Sequence, residues 1–414
     1  MIQYHSIYTK PLAKEKKENN FIYFYIIAFC LSTIQFFSPL LIPSSLLYYS
    51  YYAIFSYSVV FIIISYKESY NNLFTLPIFL VLLAQLIAIF SCTYSWHQSL
   101  TASILATSLN MSYILFFILV IYNFSLINTE KVIVICGSLY VVIFLVSFVI
   151  YPRTFITWEV NYGDERGFQR ILVNGIGFLF LFSFYTLKNY ILTNKRLWLL
   201  LYLVTFVTIL MTLTRTLIIC STIFSFLYFI RGKKFFPVLL TLLIVGCLLY
   251  VVTQMNFYKI LASETKSQAS YVKEDIRSQA TDYYLNNFST NIVAKVFGNG
   301  DAYKDTEYLQ YMLYLEKSLG YYETDIGYVG FYVKYGIIAI LGYLIFIYRT
   351  LKVTVSEEYQ YCKYFLYFIF VISVVIESPF SKSYIPAIAI AAYILSSNAA
   401  KKKSITEDSD ALSF

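Results

Sequence analysis

The sequence contains little charge for its length. Asp, Glu, Lys and Arg make up 13% of its 414 residues, whereas soluble domains carry roughly 25%. Hydrophobic residues account for 59%. This composition excludes an ordinary soluble domain and predicts a membrane protein that crosses the bilayer several times. The net charge of +8 comes largely from Lys and Arg in connecting segments, so it does not indicate a nucleic-acid partner.

The residues that build most metal sites and disulfide frameworks are also scarce. The chain has two histidines, His5 and His97, and its six cysteines show no CxxC spacing. All six cysteines fall in or at the ends of apolar runs. The sequence therefore predicts no His-based metal site, no disulfide framework and no cofactor.

Long runs of apolar residues make up most of the sequence. A transmembrane helix needs about 20 apolar residues to cross a hydrocarbon core of about 30 Å. Runs near that length predict an all-α, polytopic integral membrane protein with about twelve transmembrane helices. The predicted spans are 21–41, 46–66, 73–94, 102–123, 132–150, 171–187, 197–213, 216–230, 235–253, 326–348, 362–379 and 383–398.

The distribution of Lys and Arg predicts the orientation. The basic segment 1–20 precedes the first span without a cleavage signal, which favours an uncleaved first helix. With this segment inside, the inner connections hold eighteen Lys and Arg and the short outer loops hold five. The positive-inside rule then places both termini in the cytoplasm. The polar tail 399–414 is predicted to be disordered.

The sequence predicts a single membrane domain that covers 1–414. Two of its outer loops are longer than the other outer loops. The first outer loop, 151–170, carries three arginines, and the long outer loop covers 254–325. Long loops that carry their own structure are usually functional. Part of the long loop, 270–292, is compatible with an amphipathic helix on the membrane surface. We therefore expect any functional site to lie on the outer face.

A lone arginine interrupts a long apolar stretch. Arg215, in MTLTRTLIIC, is the single charge of the 34-residue stretch Leu197–Ile230. An arginine at mid-bilayer is costly, but the predicted topology places Arg215 in a tight turn at the outer ends of two spans. It either snorkels to a lipid headgroup or serves a functional site there.

Further charges occur where the long loop returns to the membrane. Asp325 opens a span, where an acid is also explained by the helix dipole. Lys334 follows nine residues later, and Glu377 lies near the outer end of the next span. Ionisable groups at membrane depth suggest function, although pairing between Glu377 and Lys334 or Lys382 is an equally good structural account.

Four segments together resemble the bacterial O-antigen polymerase (Wzy-type) and O-antigen ligase superfamily. In chain order they are ERGFQRILVNGIG (165–177), TLTRT (212–216), FGNG (297–300) and DIGYVGFYVKYGIIA (325–339). They are similar to the family's arginine-led helix start, its T-x-S/T-R turn, its F/L-G-x-G loop end and its Y-G-I-I-G helix. Each motif is loose alone, and their order on one face carries the resemblance.

The resemblance implies a polysaccharide polymerase in the cytoplasmic (inner) membrane, with its site facing the periplasm or cell exterior. Such an enzyme transfers a growing glycan from undecaprenyl pyrophosphate to the next lipid-linked repeat unit. Since the arginine guanidinium fork matches phosphate oxygens, the groups expected to bind the pyrophosphate and glycan without metal are Arg166, Arg170 and Arg215, with Lys334 as a further cation.

The same chemistry benefits from a general base near the acceptor hydroxyl. Asp325 is the first candidate and Glu323 the second, with Asp301 and Glu307 behind them. Members of the superfamily that act as ligases carry a histidine at the start of the helix that corresponds to 325–348, and this chain has none there. That difference favours polymerase over ligase and leaves the identity of the base open.

Other functions remain possible from the sequence. The alternatives are an O-antigen ligase, a flippase for lipid-linked oligosaccharides and a non-catalytic membrane scaffold. Many secondary transporters show inverted repeats, and no repeat is apparent here. The expected partners are the lipid bilayer, an undecaprenyl-pyrophosphate-linked oligosaccharide and, by resemblance, a chain-length regulator and a flippase.

Overall fold

The computed structural model describes residues 20–34, 44–65, 72–150, 173–231, 276–376 and 381–411, and all regular structure within these ranges is helical. The first half of the chain contains α1 (Asn20–Ile34), α2 (Ser44–Ile64), α3 (Thr75–Trp96), α4 (Leu100–Ser108), α5 (Ile114–Ile121), α6 (Leu126–Ile150), α7 (Ile176–Thr193), α8 (Arg196–Met211) and α9 (Arg215–Ile230). A 3₁₀ segment, Leu109–Tyr113, joins α4 to α5.

The second half begins with short helices and ends with three long ones. It contains α10 (Ile276–Asn286), α11 (Ile292–Phe297), α12 (Glu307–Tyr314), α13 (Tyr328–Lys352), α14 (Gln360–Ile372) and α15 (Ile385–Ala411). Three single-turn segments complete it: Leu315–Leu319, Glu323–Asp325 and Glu357–Tyr359.

Five helical stretches are long and apolar enough to cross a membrane, namely Thr75–Trp96, Leu100–Ile121, Leu126–Ile150, Ile176–Thr193 and Tyr328–Lys352. Shorter apolar helices occur at Asn20–Ile34, Tyr48–Ile64, Arg196–Met211, Arg215–Ile230 and Ile385–Ala399. The described part of the chain is therefore all-helical, and the chain is a polytopic membrane protein. Each predicted span that the structure describes at least in part overlaps one or more helices, and the predicted span 235–253 lies outside the described residues.

The bundle has two distinguishable ends. At one end, the Gly177 backbone N–H donates to the Ser383 carbonyl at 3.1 Å, and the start of α13 packs against the end of α14 through Tyr328, whose hydroxyl donates to the Phe370 carbonyl at 2.7 Å. Residues 276–325 fold over this end, and we call them the cap. At the opposite end, the Ser356 backbone N–H donates to the Asn398 side chain at 2.9 Å.

Helix α15 passes through the centre of the bundle. The side chains from Ile385 to Leu395 are almost completely buried. Alanines at 387, 389, 391 and 392 allow neighbouring helices to approach closely, as small residues do in membrane bundles. The helix continues to Ala411, so the backbone of 399–411 is helical where the sequence predicts disorder. Its Ala, Lys and Glu residues are strong helix formers, and the preceding span supplies the nucleus.

A buried ion pair joins three helices at the opposite end. Lys188 Nζ of α7 lies 3.0 Å from Glu130 Oε1 of α6, and the hydroxyl of Tyr361 in α14 donates to the same oxygen at 3.1 Å. The ammonium also lies 5.1 Å from the centroid of the Tyr185 ring. These contacts satisfy both charges where water is scarce.

Removing one charge of this pair should destabilise the fold. Lys188→Met leaves Glu130 buried without its counter-charge, and we expect a loss of about 3–5 kcal/mol of unfolding free energy. The double variant Glu130→Met/Lys188→Met should recover much of that loss, because two apolar side chains replace two charges. Thermal unfolding in detergent measures both variants. Equal losses for the single and double variants would contradict this account.

Candidate functional site

Helix α13 is broken at Gly336. This residue has φ 72° and ψ −169°, a combination that essentially only glycine adopts. The break separates the segment Tyr328–Tyr335 from a longer segment that ends at Lys352. A broken helix leaves backbone carbonyls without helical partners, and in a membrane these need partners from protein.

The FGNG loop (297–300) supplies those partners. The backbone N–H groups of Asn299 and Gly300 donate to the carbonyls of Val333 and Lys334, each at 2.8 Å. The Asn299 side-chain amide donates to the Val333 carbonyl as well, at 3.0 Å. Two motifs that the sequence places about 35 residues apart thus form one structure, which we call the loop–helix junction (residues 297–301 and 333–336).

Glycine is required where the loop touches the helix. A Cβ on Gly298 would lie 2.2 Å from the Lys334 carbonyl oxygen, and Gly298 also has a positive φ of 89°. Neighbouring residues of α3 fix the loop from the other side. Ser91 donates to the Gly298 carbonyl at 2.6 Å, and the Trp96 indole N–H donates to the Asn299 side chain at 2.9 Å.

A cluster of charged side chains is buried at the junction. Lys334 Nζ lies 3.4 Å from Glu323 Oε2 and 3.8 Å from Asp301 Oδ1, and the Lys334 and Glu323 side chains are only 13% and 5% exposed. The Tyr335 hydroxyl donates to Asp301 Oδ2 at 2.6 Å. The Asn110 amide donates to Asp301 Oδ1 at 3.3 Å. We call Asp301, Glu323 and Lys334 the charge cluster.

The cluster lies where the cap meets the candidate membrane helices. Asn110, which holds Asp301, is about ten residues along the candidate span Leu100–Ile121. At 1.5 Å of rise per residue this is ~15 Å from the start of the span. Ionisable groups at such depth are costly and mark functional sites by default. The 3₁₀ segment Leu109–Tyr113 interrupts the span where Asn110 faces the cluster.

Two carboxylates that are neighbours in sequence have different surroundings. Glu323 is buried against Lys334, whereas Asp325 is 47% exposed and lies 3.9 Å from the exposed Arg277. Asp325, the first candidate for the general base from the sequence, is therefore exposed to solvent and paired with Arg277. Glu323 is the one that contacts the Lys334 ammonium. The structure brings the second candidate, Glu323, together with the predicted cation Lys334. Glu307 opens α12 and is exposed.

The three side chains of the cluster are largely shielded from water. Burial raises the pKa of the Glu316 carboxyl above its usual value, and the Lys334 ammonium opposes that shift. A charge held in such a setting interacts more strongly with its neighbours than in water. The three charged groups are thus suited to binding and proton transfer.

Arg215 begins α9 at the same end of the bundle as the cap. Helix α7 runs from the Ser383 contact to the Lys188–Glu130 pair, α8 returns, and α9 starts after the turn. The side chain of Arg215 is half-buried, which agrees with a turn at the bundle end. Leu213 in this turn has a positive φ of 57°, an outlier for a bulky residue. The predicted ligands Arg166 and Arg170 lie outside the described residues.

Sequence reasoning missed two members of the site, Asn110 and Tyr335. Both contact Asp301, and they lie 191 and 34 residues from it in the chain. Asn110 interrupts an otherwise apolar span, and a polar side chain at that position is the signal that could have identified it. No group of three or more His, Cys, Asp and Glu residues that could hold a metal ion occurs in the described part of the chain.

No protein-family model matches the chain, and no curated protein matches it.

Proposed function

We propose that this protein is a polysaccharide polymerase of the cytoplasmic membrane, with about twelve spans, both termini in the cytoplasm and the cap on the outer face. It transfers a growing glycan from undecaprenyl pyrophosphate to the next lipid-linked repeat unit. The product is an O-antigen, capsule or exopolysaccharide. The enzyme is a glycosyltransferase that works without a metal ion.

One observation carries this proposal. A buried acid–ammonium pair, Glu323–Lys334, lies where the FGNG loop meets the broken helix. Two of the four segments that resemble the polymerase family thus converge on ionisable groups, and the TLTRT turn lies at the same bundle end. Two carboxylates beside one ammonium are ionisable groups at membrane depth, which favour a functional role for these motifs.

The cluster provides the groups that glycosyl transfer requires. In the proposed reaction the acceptor hydroxyl oxygen attacks the anomeric carbon of the donor glycan, and Glu323 accepts the hydroxyl proton. The bond between that carbon and the pyrophosphate oxygen breaks, and the electron pair leaves with undecaprenyl pyrophosphate. Cationic groups, namely Lys334, Arg215 and the outer-loop arginines Arg166 and Arg170, stabilise the charge that develops on the leaving group.

Asp301 has a positioning role in this scheme. Its oxygens accept hydrogen bonds from Tyr335 and Asn110 and also face Lys334. A carboxylate engaged in this way fixes the ammonium rather than accepting a proton. When a pyrophosphate draws Lys334 toward itself, the contact between Lys334 and Glu323 weakens. Substrate binding would then release the Glu323 carboxylate to act as the base.

A flippase is the second candidate. Transporters often place their binding site near the bilayer midplane at discontinuous helices, and α13 is discontinuous beside buried charges. An O-antigen ligase is a third candidate of the same reaction class with a different acceptor. The folded cap and the acid–ammonium pair support a transferase more directly than a transporter.

Chain extension by the purified protein tests the proposal. The full chain in detergent micelles would be incubated with undecaprenyl-pyrophosphate-linked repeat units extracted from the host membrane. We expect lipid-linked products of two or more repeats and release of one undecaprenyl pyrophosphate per linkage, measured by mass spectrometry. A flippase forms no product in micelles, and a ligase needs another acceptor. Absence of longer products would therefore overturn the proposal.

Substitution of Arg215 tests the role of the turn. Arg215→Lys keeps the charge but loses the planar fork that binds two phosphate oxygens. We expect chain extension to fall by about tenfold to a hundredfold, since a charge-assisted contact contributes roughly 1.5–3 kcal/mol. Arg231→Lys at the other end of α9, where the side chain is exposed, is the matched control. Equal activity of the two variants would support snorkelling as the role of Arg215.

A further inference from the structure

Four tyrosines form a connected, partly exposed surface on the cap. The hydroxyls of Tyr283 and Tyr311 are hydrogen-bonded to each other. The ring centroids of Tyr283 and Tyr321 are 5.7 Å apart, and those of Tyr311 and Tyr314 are 6.5 Å apart. Tyr314 is 54% exposed and the other three are half-buried. We call these four residues the tyrosine platform.

A second aromatic layer, of which Phe288 and Tyr308 are buried and Trp96 is partly buried, packs against the platform. The rings of Trp96 and Tyr308 stack at 4.5 Å with an interplanar angle of 11°, and Trp96 lies 5.6 Å from Tyr311. Phe288 stacks on Tyr311 at 6.2 Å. These rings pack against Tyr311 and restrict its side chain, which lowers the conformational entropy that ligand binding costs there.

The platform presents hydroxyl groups as well as ring faces. The Tyr321 hydroxyl donates to the exposed Gln279 side chain at 3.3 Å. Burial raises the pKa of Tyr283 to about 12, and the hydrogen bond with Tyr311 adds to the shift. The Tyr283 hydroxyl therefore stays protonated at neutral pH. Rings with polar edges suit a ligand that has both apolar C–H faces and hydroxyl groups.

The platform adjoins the charge cluster. The hydroxyl of the buried Tyr284 donates to the Tyr321 carbonyl at 3.2 Å, and Tyr321 precedes Glu323 by two residues. This contact places the platform beside the short turn that carries Glu323. The platform residues lie outside the five candidate spans. They occupy helices and turns that also carry Arg277, Asp282 and Lys317, a charged setting that does not suit lipid tails.

We propose that the tyrosine platform is a glycan-binding subsite that holds the sugar segment next to the reacting end. The inference rests on the proposed polymerase function, because that function brings an oligosaccharide to Glu323. The apolar C–H face of a pyranose ring stacks on tyrosine, and its equatorial hydroxyls exchange hydrogen bonds with the phenols and Gln279. Holding the product between transfers lets the enzyme add several repeats before release, so the subsite sets chain length.

Tryptophan fluorescence reports binding at this place directly. The chain has three tryptophans. In the double variant Trp158→Phe/Trp198→Phe the remaining tryptophan is Trp96, whose ring packs against Tyr311 of the platform. The purified full chain in detergent would be titrated with oligosaccharides released by mild acid from the host's surface polysaccharide. We expect a saturable change in Trp96 emission. Tyr314→Ala/Tyr321→Ala should weaken binding by about tenfold to a hundredfold, since each aromatic contact contributes about tenfold or less.

Two comparisons decide the outcome. Tyr348→Ala, an equally exposed tyrosine at the opposite end of α13, should leave binding unchanged. In cells, the platform variant should produce glycans with fewer repeats than the wild-type protein does. Unchanged oligosaccharide affinity in Tyr314→Ala/Tyr321→Ala would overturn the inference about the platform. The proposed function would still stand if the wild-type protein extends chains. Absence of extension by the wild-type protein would instead overturn the proposed function.

Discussion

Replacing Glu323 by glutamine should stop chain extension while the protein remains folded. Glutamine has the same shape but cannot accept the acceptor's proton, and general bases contribute about 10²–10⁴-fold to rate. We therefore expect the rate of linkage formation to fall by that factor. Extension of lipid-linked repeat units by the purified variant measures it, and thermal unfolding in detergent checks that the fold is retained.

Asp325→Asn is the matched control for this experiment. Asp325 lies two residues away, is 47% exposed and contacts the exposed Arg277. An exposed ion pair contributes little, so we expect activity within about threefold of wild type. A normal rate for Glu323→Gln together with a lost rate for Asp325→Asn would transfer the role of base to Asp325 and contradict the role given to the buried pair.

The second large effect is expected at the break in α13. Gly336→Ala places a Cβ 2.3 Å from the Val296 carbonyl oxygen and forces alanine into a backbone conformation that only glycine adopts readily. Such backbone strain alone costs about 1–3 kcal/mol, and the steric overlap adds to it. We expect the loop–helix junction to separate, with a lower unfolding temperature and loss of chain extension.

Ile337→Ala provides the comparison for that variant. Ile337 follows the break and its side chain is 49% exposed, so its truncation should change stability by less than about 1 kcal/mol. Limited proteolysis at the cap separates local opening from global unfolding. If Gly336→Ala were as stable as Ile337→Ala and kept the cap protected, the junction would not depend on this glycine.

The membrane helices can be predicted from the sequence because each one is marked by a continuous run of apolar residues. The apolar runs 73–94 and 326–348 correspond to α3 (Thr75–Trp96) and α13 (Tyr328–Lys352), each within four residues at either end. Lys334 was identified as a membrane-depth charge for the same reason. The break at Gly336 was not predicted, since a single glycine within an apolar run does not reveal its backbone angles.

The organisation of the site depends on contacts between distant segments. Asp301 was a weaker candidate than Asp325 in the sequence, and its contacts with Asn110 and Lys334 raise its importance. Burial distinguishes Glu323 from Asp325 although both lie in one short turn. In the range 270–292, which the sequence shows to be compatible with an amphipathic helix on the membrane, α10 (Ile276–Asn286) buries Ala280 and Tyr284 inside the cap. Local sequence could not supply these pairings, because they arise only when the cap folds over the bundle.

The length of the surface polysaccharide in a deletion strain tests the central claim most directly. A silver-stained gel would compare the deletion strain with the same strain carrying the wild-type gene. We predict that a ladder collapses to one repeat unit on the acceptor and that complementation restores it. A ladder that stays unchanged on deletion, with no second polymerase in the strain, would contradict the account. Complete loss of surface glycan, with lipid-linked polymer accumulating outside or repeat units trapped inside, would contradict it in favour of a ligase or a flippase respectively.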